Sequence, residues 1–221
     1  ASSGTSYCVR LGCYYYYFTP ASTYSHDLFT ISNCVSERTG THADDDVAPS
    51  TAYVGYAYPV SNNPCVTPPL TPLTDSITTL QNTVTNLNAG GSTAGQLGLA
   101  WGWYMVSPNF GNLWSSSYYP PAAYGTTNLV KAVVLMTDGD FNTAYCSGVI
   151  SADSSDGAGN SYDHSNCNAT NGASATQATA LCTAIKTAGI TLYTGGFTRG
   201  GDTAAQTLLT NCASSPDDFF E

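Results

Sequence analysis

The chain has 221 residues, a net charge of −10 and only 9% charged residues, with five basic side chains in all: Arg10, Arg38, Lys131, Lys186 and Arg199. So few cations on so acidic a chain repel phosphate backbones and anionic lipid, which excludes nucleic acid as a partner. Eight cysteines without a single C-x-x-C pair argue for disulfides made in an oxidising, extracytoplasmic compartment (periplasm, cell surface or exterior), and against a zinc ribbon or a thioredoxin motif.

Composition changes near residue 70. Before it, Gly, Pro, Ser, Thr and Tyr dominate, with Tyr14–Tyr17 followed by Phe18, and Tyr53, Tyr56 and Tyr58 at close spacing. Residues 1–70 read as a disulfide-stapled insertion or subdomain of short strands and loops. Its tyrosines are assigned to packing within half-buried strands, with sugar stacking as the alternative. From residue 72 the period is helical: Leu73, Ile77, Leu80, Val84 and Leu87 share one face, which is expected to meet a sheet. Gly90-Gly91 breaks that helix, and a second is expected over 93–106 through Leu97, Trp101, Tyr104 and Met105.

Lys131-Ala-Val-Val-Leu-Met136 is a continuous apolar run ending in Thr137-Asp138-Gly139, which predicts a strand buried on both faces. Its apolar part is far short of the ~20 residues that cross a bilayer, so no membrane span is expected in this chain. The Ser-, Asn-, Asp- and Gly-rich stretch 141–172 is too long for a free loop and is expected to be stapled by Cys146 and Cys167. A helix through Ala178, Leu181, Cys182 and Ile185 follows, then a strand over 190–193. Another helix runs through Ala205, Leu208, Leu209 and Cys212, and Phe219-Phe220 is expected to begin a third strand.

Strand, helix, strand, helix, strand is the grammar of an α/β fold with a parallel sheet flanked by helices. Right-handed crossovers in one direction place the last two helices side by side, where Cys182 and Cys212 can bond. Eight cysteines allow 105 pairings. The expected set is Cys8 with Cys13, Cys34 with Cys65, Cys146 with Cys167, and Cys182 with Cys212.

Ligands of open parallel sheets sit beyond the carboxyl ends of the strands, where Asp138 lies. The Gly90-Gly91-Ser92-Thr93 loop offers a hydroxyl toward the same crevice, and two oxygen donors suit a hard divalent cation such as Mg2+. The same residues also read as an ordinary turn and a helix cap. Thr93 within Gly91-Ser-Thr-Ala-Gly95 imitates a nucleophile elbow, with His26, His42 or His164 as base, but a helix rather than a buried strand precedes it. A non-enzymatic chain is expected. Asp44–Asp46, and Asp153, Asp156 and Asp163, could attract Ca2+, but neither set has EF-hand spacing.

Val133-Val-Leu-Met-Thr-Asp-Gly139, preceded by Gly-Gly-Ser-Thr and followed by Ile190-Thr-Leu-Tyr-Thr-Gly-Gly-Phe197, resembles the later half of a von Willebrand factor A domain. Four further blocks are similar to TadG-like proteins of Tad (Flp-type) pilus assembly: Cys34-Val-Ser-Glu-Arg-Thr-Gly40, Leu99-Ala-Trp-Gly-Trp-Tyr104 with Ser107-Pro108, Met136-Thr-Asp-Gly-Asp-Phe-Asn-Thr143, and Asn211-Cys-Ala-Ser-Ser-Pro216. The resemblance implies a Rossmann-like A domain over 71–221 on a bacterial envelope protein. It also implies a metal-ion-dependent adhesion site that captures an acidic group on a protein partner or surface ligand.

Two of the three parts of such a site map onto Thr93 and Asp138. The third, Asp-x-Ser-x-Ser, does not occur. The nearest miss, Asp163-His-Ser165-Asn-Cys167, lies in the stapled loop. The expectation is therefore that the first strands and the export signal lie upstream of residue 1, a divergent member without metal being the competing account. Function is expected to be adhesion or pilus assembly. The alternatives are a structural surface or filament component, self-associating without a working metal site, and a carbohydrate-binding module.

Overall fold

The computed structural model describes residues 32–58, 65, 68–88, 90–115, 118–154, 164–197 and 203–221, together with the backbone of four short strands before residue 31. Those four are β1 (Cys8–Val9), β2 (Gly12–Cys13), β3 (Tyr15–Phe18) and β4 (Asp27–Thr30). They pair antiparallel in twos, β1 with β2 and β3 with β4. The remaining strands are β5 (Val35–Ser36), β6 (Gly55–Tyr56), β7 (Ala132–Thr137), β8 (Tyr145–Cys146), β9 (Val149–Ile150), β10 (Thr191–Gly196) and β11 (Phe219–Phe220). The helices are α1 (Ile77–Thr85), α2 (Gly95–Val106), α3 (Ser174–Thr187) and α4 (Thr203–Cys212).

The chain is mixed α/β. Its centre is a three-stranded parallel sheet in the order β11–β10–β7, with Thr191 opposite Ala132 through to Gly196 opposite Thr137. Helix α3 carries the chain from β7 to β10, and α4 carries it from β10 to β11. Helices α2, α3 and α4 lie along one side of the sheet, α2 against β7 and α4 against β10, with α3 in contact with both other helices. The core forms there from Leu99, Trp101, Trp103, Tyr104, Phe110, Val133, Leu135, Leu181, Ile185, Leu192 and Leu209, all buried. Helix α2 is apolar on nearly every side because it is enclosed on nearly every side. It stops before Pro108, and the Ser107 hydroxyl accepts from the Asn109 N–H beyond it.

Three expectations are corrected. Strand β7 is buried on one face only: Val133 and Leu135 are covered, whereas Val134 is 64% and Met136 62% exposed. Helices α2, α3 and α4 take the same side, so the apolar run meets a core on alternate residues alone. Among the described residues the stripe on α1 is not packed on a sheet either; Ile77, Leu80, Val84 and Leu87 are exposed, and none of that helix's residues is buried. Ser76 caps α1 by accepting from the Thr79 N–H, so local capping holds the helix without help from a tertiary face. Finally, Tyr53 and Tyr56 are exposed rather than packed. The side chains of Tyr14–Tyr17 lie outside the described residues.

Disulfides join Cys34 to Cys65, Cys146 to Cys167 and Cys182 to Cys212. Cys8 and Cys13 stand directly opposite one another in the β1–β2 pair, with side chains outside the described residues. The stapled stretch 141–172 holds the β8–β9 hairpin.

Candidate functional site

Strand β7 runs into Thr137, whose hydroxyl accepts from the Gly139 N–H and donates to the Gly139 carbonyl. This small ring closes the Thr-Asp-Gly turn and leaves Asp138 exposed at the carboxyl edge of the sheet. The Phe197 N–H donates to the Thr137 carbonyl at 2.9 Å, so β10 leaves the sheet beside β7.

The Gly90–Thr93 loop arrives at the same edge. The Thr93 N–H donates to Asn142 Oδ1 at 3.0 Å, and the Thr93 carbonyl accepts from the N–H groups of Asn142 (3.0 Å) and Thr143 (3.2 Å). Gly95, the first residue of α2, lies under the Phe141 ring; a Cβ there would come within 2.1 Å of that ring. The structure thus ties the loop carrying Thr93 to the segment that follows Asp138, and gives each the other's backbone as its support. A recess of about 60 Å3 opens behind this segment, among Phe141, Asn142, Asp153 and Ser154.

The oxygen donors at this edge are few. Among the described residues no group of three or more His, Cys, Asp or Glu side chains converges. One exposed carboxylate and one hydroxyl do not make the six- to eight-oxygen cage of Ca2+. They are compatible with Mg2+, which keeps most of its water and takes few protein ligands.

A second polar centre, built around Glu37 and Arg38 of the Cys34–Gly40 block, binds residues 34–58 to the helical layer. Glu37 accepts from Gln96 Nε2 at 2.8 Å and from the Tyr145 N–H at 3.2 Å, and Gln96 also donates to the Thr143 carbonyl. The Ser174 hydroxyl donates to Gln96 Oε1, so the fully buried amide of α2 is shared by three segments. Burial pushes the Glu37 carboxyl above its ordinary value, with the hydrogen bonds from Gln96 and Tyr145 pulling the other way.

Arg38 next to it is 4% exposed. Its guanidinium lies 5.2 Å from the centre of the Tyr104 ring and 5.0 Å from that of Phe110, and donates to the Ala52 carbonyl. Asp45 pairs with His42 at 2.7 Å and with Arg38 at 3.7 Å. The Asp46 carboxylate accepts from Ser107, Asn109 and Tyr124. Asp46 thus anchors residues 34–58 to other segments, Asp45 braces its own segment through His42, Arg38 and Val47, and Asp153 accepts from the Ala169 N–H inside the stapled stretch. Asp156, Asp163 and His26 lie outside the described residues. The sequence carried two signals for this centre: the Cys34–Gly40 block contains Glu37 and Arg38, and in a chain with five basic residues that adjacent charged pair is conspicuous.

No protein-family model, no curated protein and no solved structure matches the chain.

Proposed function

We propose that this chain is a non-enzymatic binding domain of the A type, from an extracytoplasmic adhesion or pilus-assembly protein of TadG-like character. It meets its partner at the carboxyl edge of the parallel sheet. The reading rests on one observation: the Thr93 backbone is bonded in both directions to the segment just beyond Asp138, so a hydroxyl loop and a carboxylate turn share one edge. A divalent cation such as Mg2+ would draw on the Asp138 carboxylate and the Thr93 hydroxyl there, and would offer its charge to an acidic group on the partner. The motif resemblance supports the same residues.

The test is an Mg2+ titration of the oxidised chain followed by NMR. Shifts confined to residues near 93 and 138, abolished in Asp138→Ala, are expected; an unshifted spectrum in both chains refutes the cation. A second reading, a structural component of a surface assembly with no working cation, is favoured by the uncovered apolar stripe of α1. Polymer growth that ignores chelators would select it.

A further inference from the structure

The loop that carries Thr93 rests on residues 142–143, and these rest in turn on Glu37. The Thr93 carbonyl accepts from the N–H groups of Asn142 and Thr143, at 3.0 and 3.2 Å. Beyond them the Thr143 carbonyl accepts from Gln96 Nε2 at 2.8 Å, and the Tyr145 N–H donates to Glu37 Oε1 at 3.2 Å. The same Gln96 nitrogen donates its other hydrogen to Glu37 Oε1 at 2.8 Å, and the Gln96 oxygen accepts from the Ser174 hydroxyl. Gln96 and Thr143 are 0% and 1% exposed, so bulk water does not compete for these groups. The amide has one usable orientation. Reversed, it would set its oxygen against the Glu37 carboxylate and the Thr143 carbonyl, two acceptors with no proton to share.

We propose that Glu37 is a positioning residue for the carboxyl-edge site: its ionised carboxylate holds Thr143 through Gln96, Thr143 and Asn142 hold the Thr93 loop, and protonation of Glu37 loosens that loop. The inference rests on the reading of this edge as a cation site, but the link from Glu37 to Thr93 can be tested without the cation. Ionised, Glu37 receives the Gln96 and Tyr145 N–H groups in charge-assisted bonds, roughly twice as strong as neutral ones. A proton removes the charge and slackens both bonds at once. Burial raises the carboxyl above 4.5, while the bonds from Gln96, Tyr145 and its own backbone lower it. The charge therefore costs stability, and the bonds it strengthens offset only part of that cost. Among the described residues, α2 brings Gln96, Trp101 and Tyr104 to this place, α3 brings Ser174 and Gln177, and β8 brings the Tyr145 N–H. Tyr104, pushed up to about 12 chiefly by burial, stays neutral. Arg38, next in sequence, turns its guanidinium onto Tyr104 and Phe110 and pairs with Asp45 at 3.7 Å.

NMR of the oxidised chain without metal, titrated from neutral pH down into the ordinary carboxylate range, tests the link. The Tyr145 amide and the Gln96 side-chain amide should shift with one midpoint, above 4.5, that belongs to Glu37. The Asn142, Thr143 and Thr93 amides should shift with the same midpoint. Glu37→Gln keeps an oxygen for Gln96 and Tyr145 but has no proton to gain, and should lose this step at every one of them. Gln96→Met breaks the link and leaves Glu37 in place, so Tyr145 should still titrate while Thr93 does not. Mg2+ added on each side of the midpoint then reads the site. In the parent its affinity should fall about fivefold as Glu37 gains its proton, the worth of one net hydrogen bond, and in Glu37→Gln it should stay level at the lower value.

Three results overturn the proposal: Thr93 and Thr143 amides that ignore the midpoint seen at Tyr145; the same step at Thr93 in Glu37→Gln, which assigns it to another group; or an Mg2+ affinity that falls equally in parent and variant. A spectrum that ignores Mg2+ in both chains overturns the cation reading instead, and the shared midpoint at Thr93 then still decides whether Glu37 sets the loop.

Discussion

Removing the bond between α3 and α4 gives the most quantitative check on the helical layer. Cys182 and Cys212 are 2% and 1% exposed, with Cα atoms 5.1 Å apart and a separation of 30 in sequence. Opening a loop of that length releases chain entropy in the unfolded state worth about 3.6 kcal/mol. Replacing both residues by Ala removes little buried volume, so the loop term dominates. For a chain of this size that corresponds to a fall in Tm of about 7–14 °C. The pair is not the only clasp between these elements: Lys186 Nζ also donates to the Asn211 and Ala213 carbonyls. Those contacts should survive and keep the native fold below the new melting point. Urea unfolding of the parent and of Cys182→Ala/Cys212→Ala, both with the other disulfides intact, measures the difference. A loss under about 1 kcal/mol would show that the unfolded chain gains no freedom when the bond is opened, and would refute the loop-entropy reasoning.

Gly148→Ala should be severe, because φ there is +87° and the new Cβ would fall 1.9 Å from the Tyr56 carbonyl; a loss of about 3 kcal/mol or more by urea unfolding is expected. Arg38→Ala empties the space over Tyr104 and Phe110 and should cost about 2–4 kcal/mol by the same assay, while Arg38→Lys recovers only part of it. Glu37 holds its proton more tightly when folded than when unfolded, so the folded state binds the extra proton above the ordinary value of 4.5 and stability falls as pH rises through the folded pKa. Glu37→Gln keeps an oxygen for Gln96 and Tyr145 and should flatten that fall; a variant whose unfolding free energy varies with pH as steeply as the parent's would exclude Glu37 as its source.

The helical side of the fold was legible because its signals are local. Strand, helix, strand, helix, strand could be read from 131–220 by period and turn residues, and the expected pairs Cys146–Cys167 and Cys182–Cys212 are bonded there, as Cys34–Cys65 is in the N-terminal region. What could not be read is which faces are covered. The run Ala132–Met136 and the stripe Ile77–Leu87 have the apolar periods of buried elements, yet period reports what a segment could bury, not whether anything lies opposite. The pairing of Glu37, Arg38, Asp46 and Gln96 was equally hidden, since its bonds join residues far apart in sequence: 108 between Glu37 and Tyr145, and 133 between Arg38 and Asn171. At the candidate site, Thr93 and Asp138 were singled out from motif and position. Asn142, which accepts from the Thr93 N–H, was not, because nothing local distinguishes a loop asparagine that bonds across 49 residues.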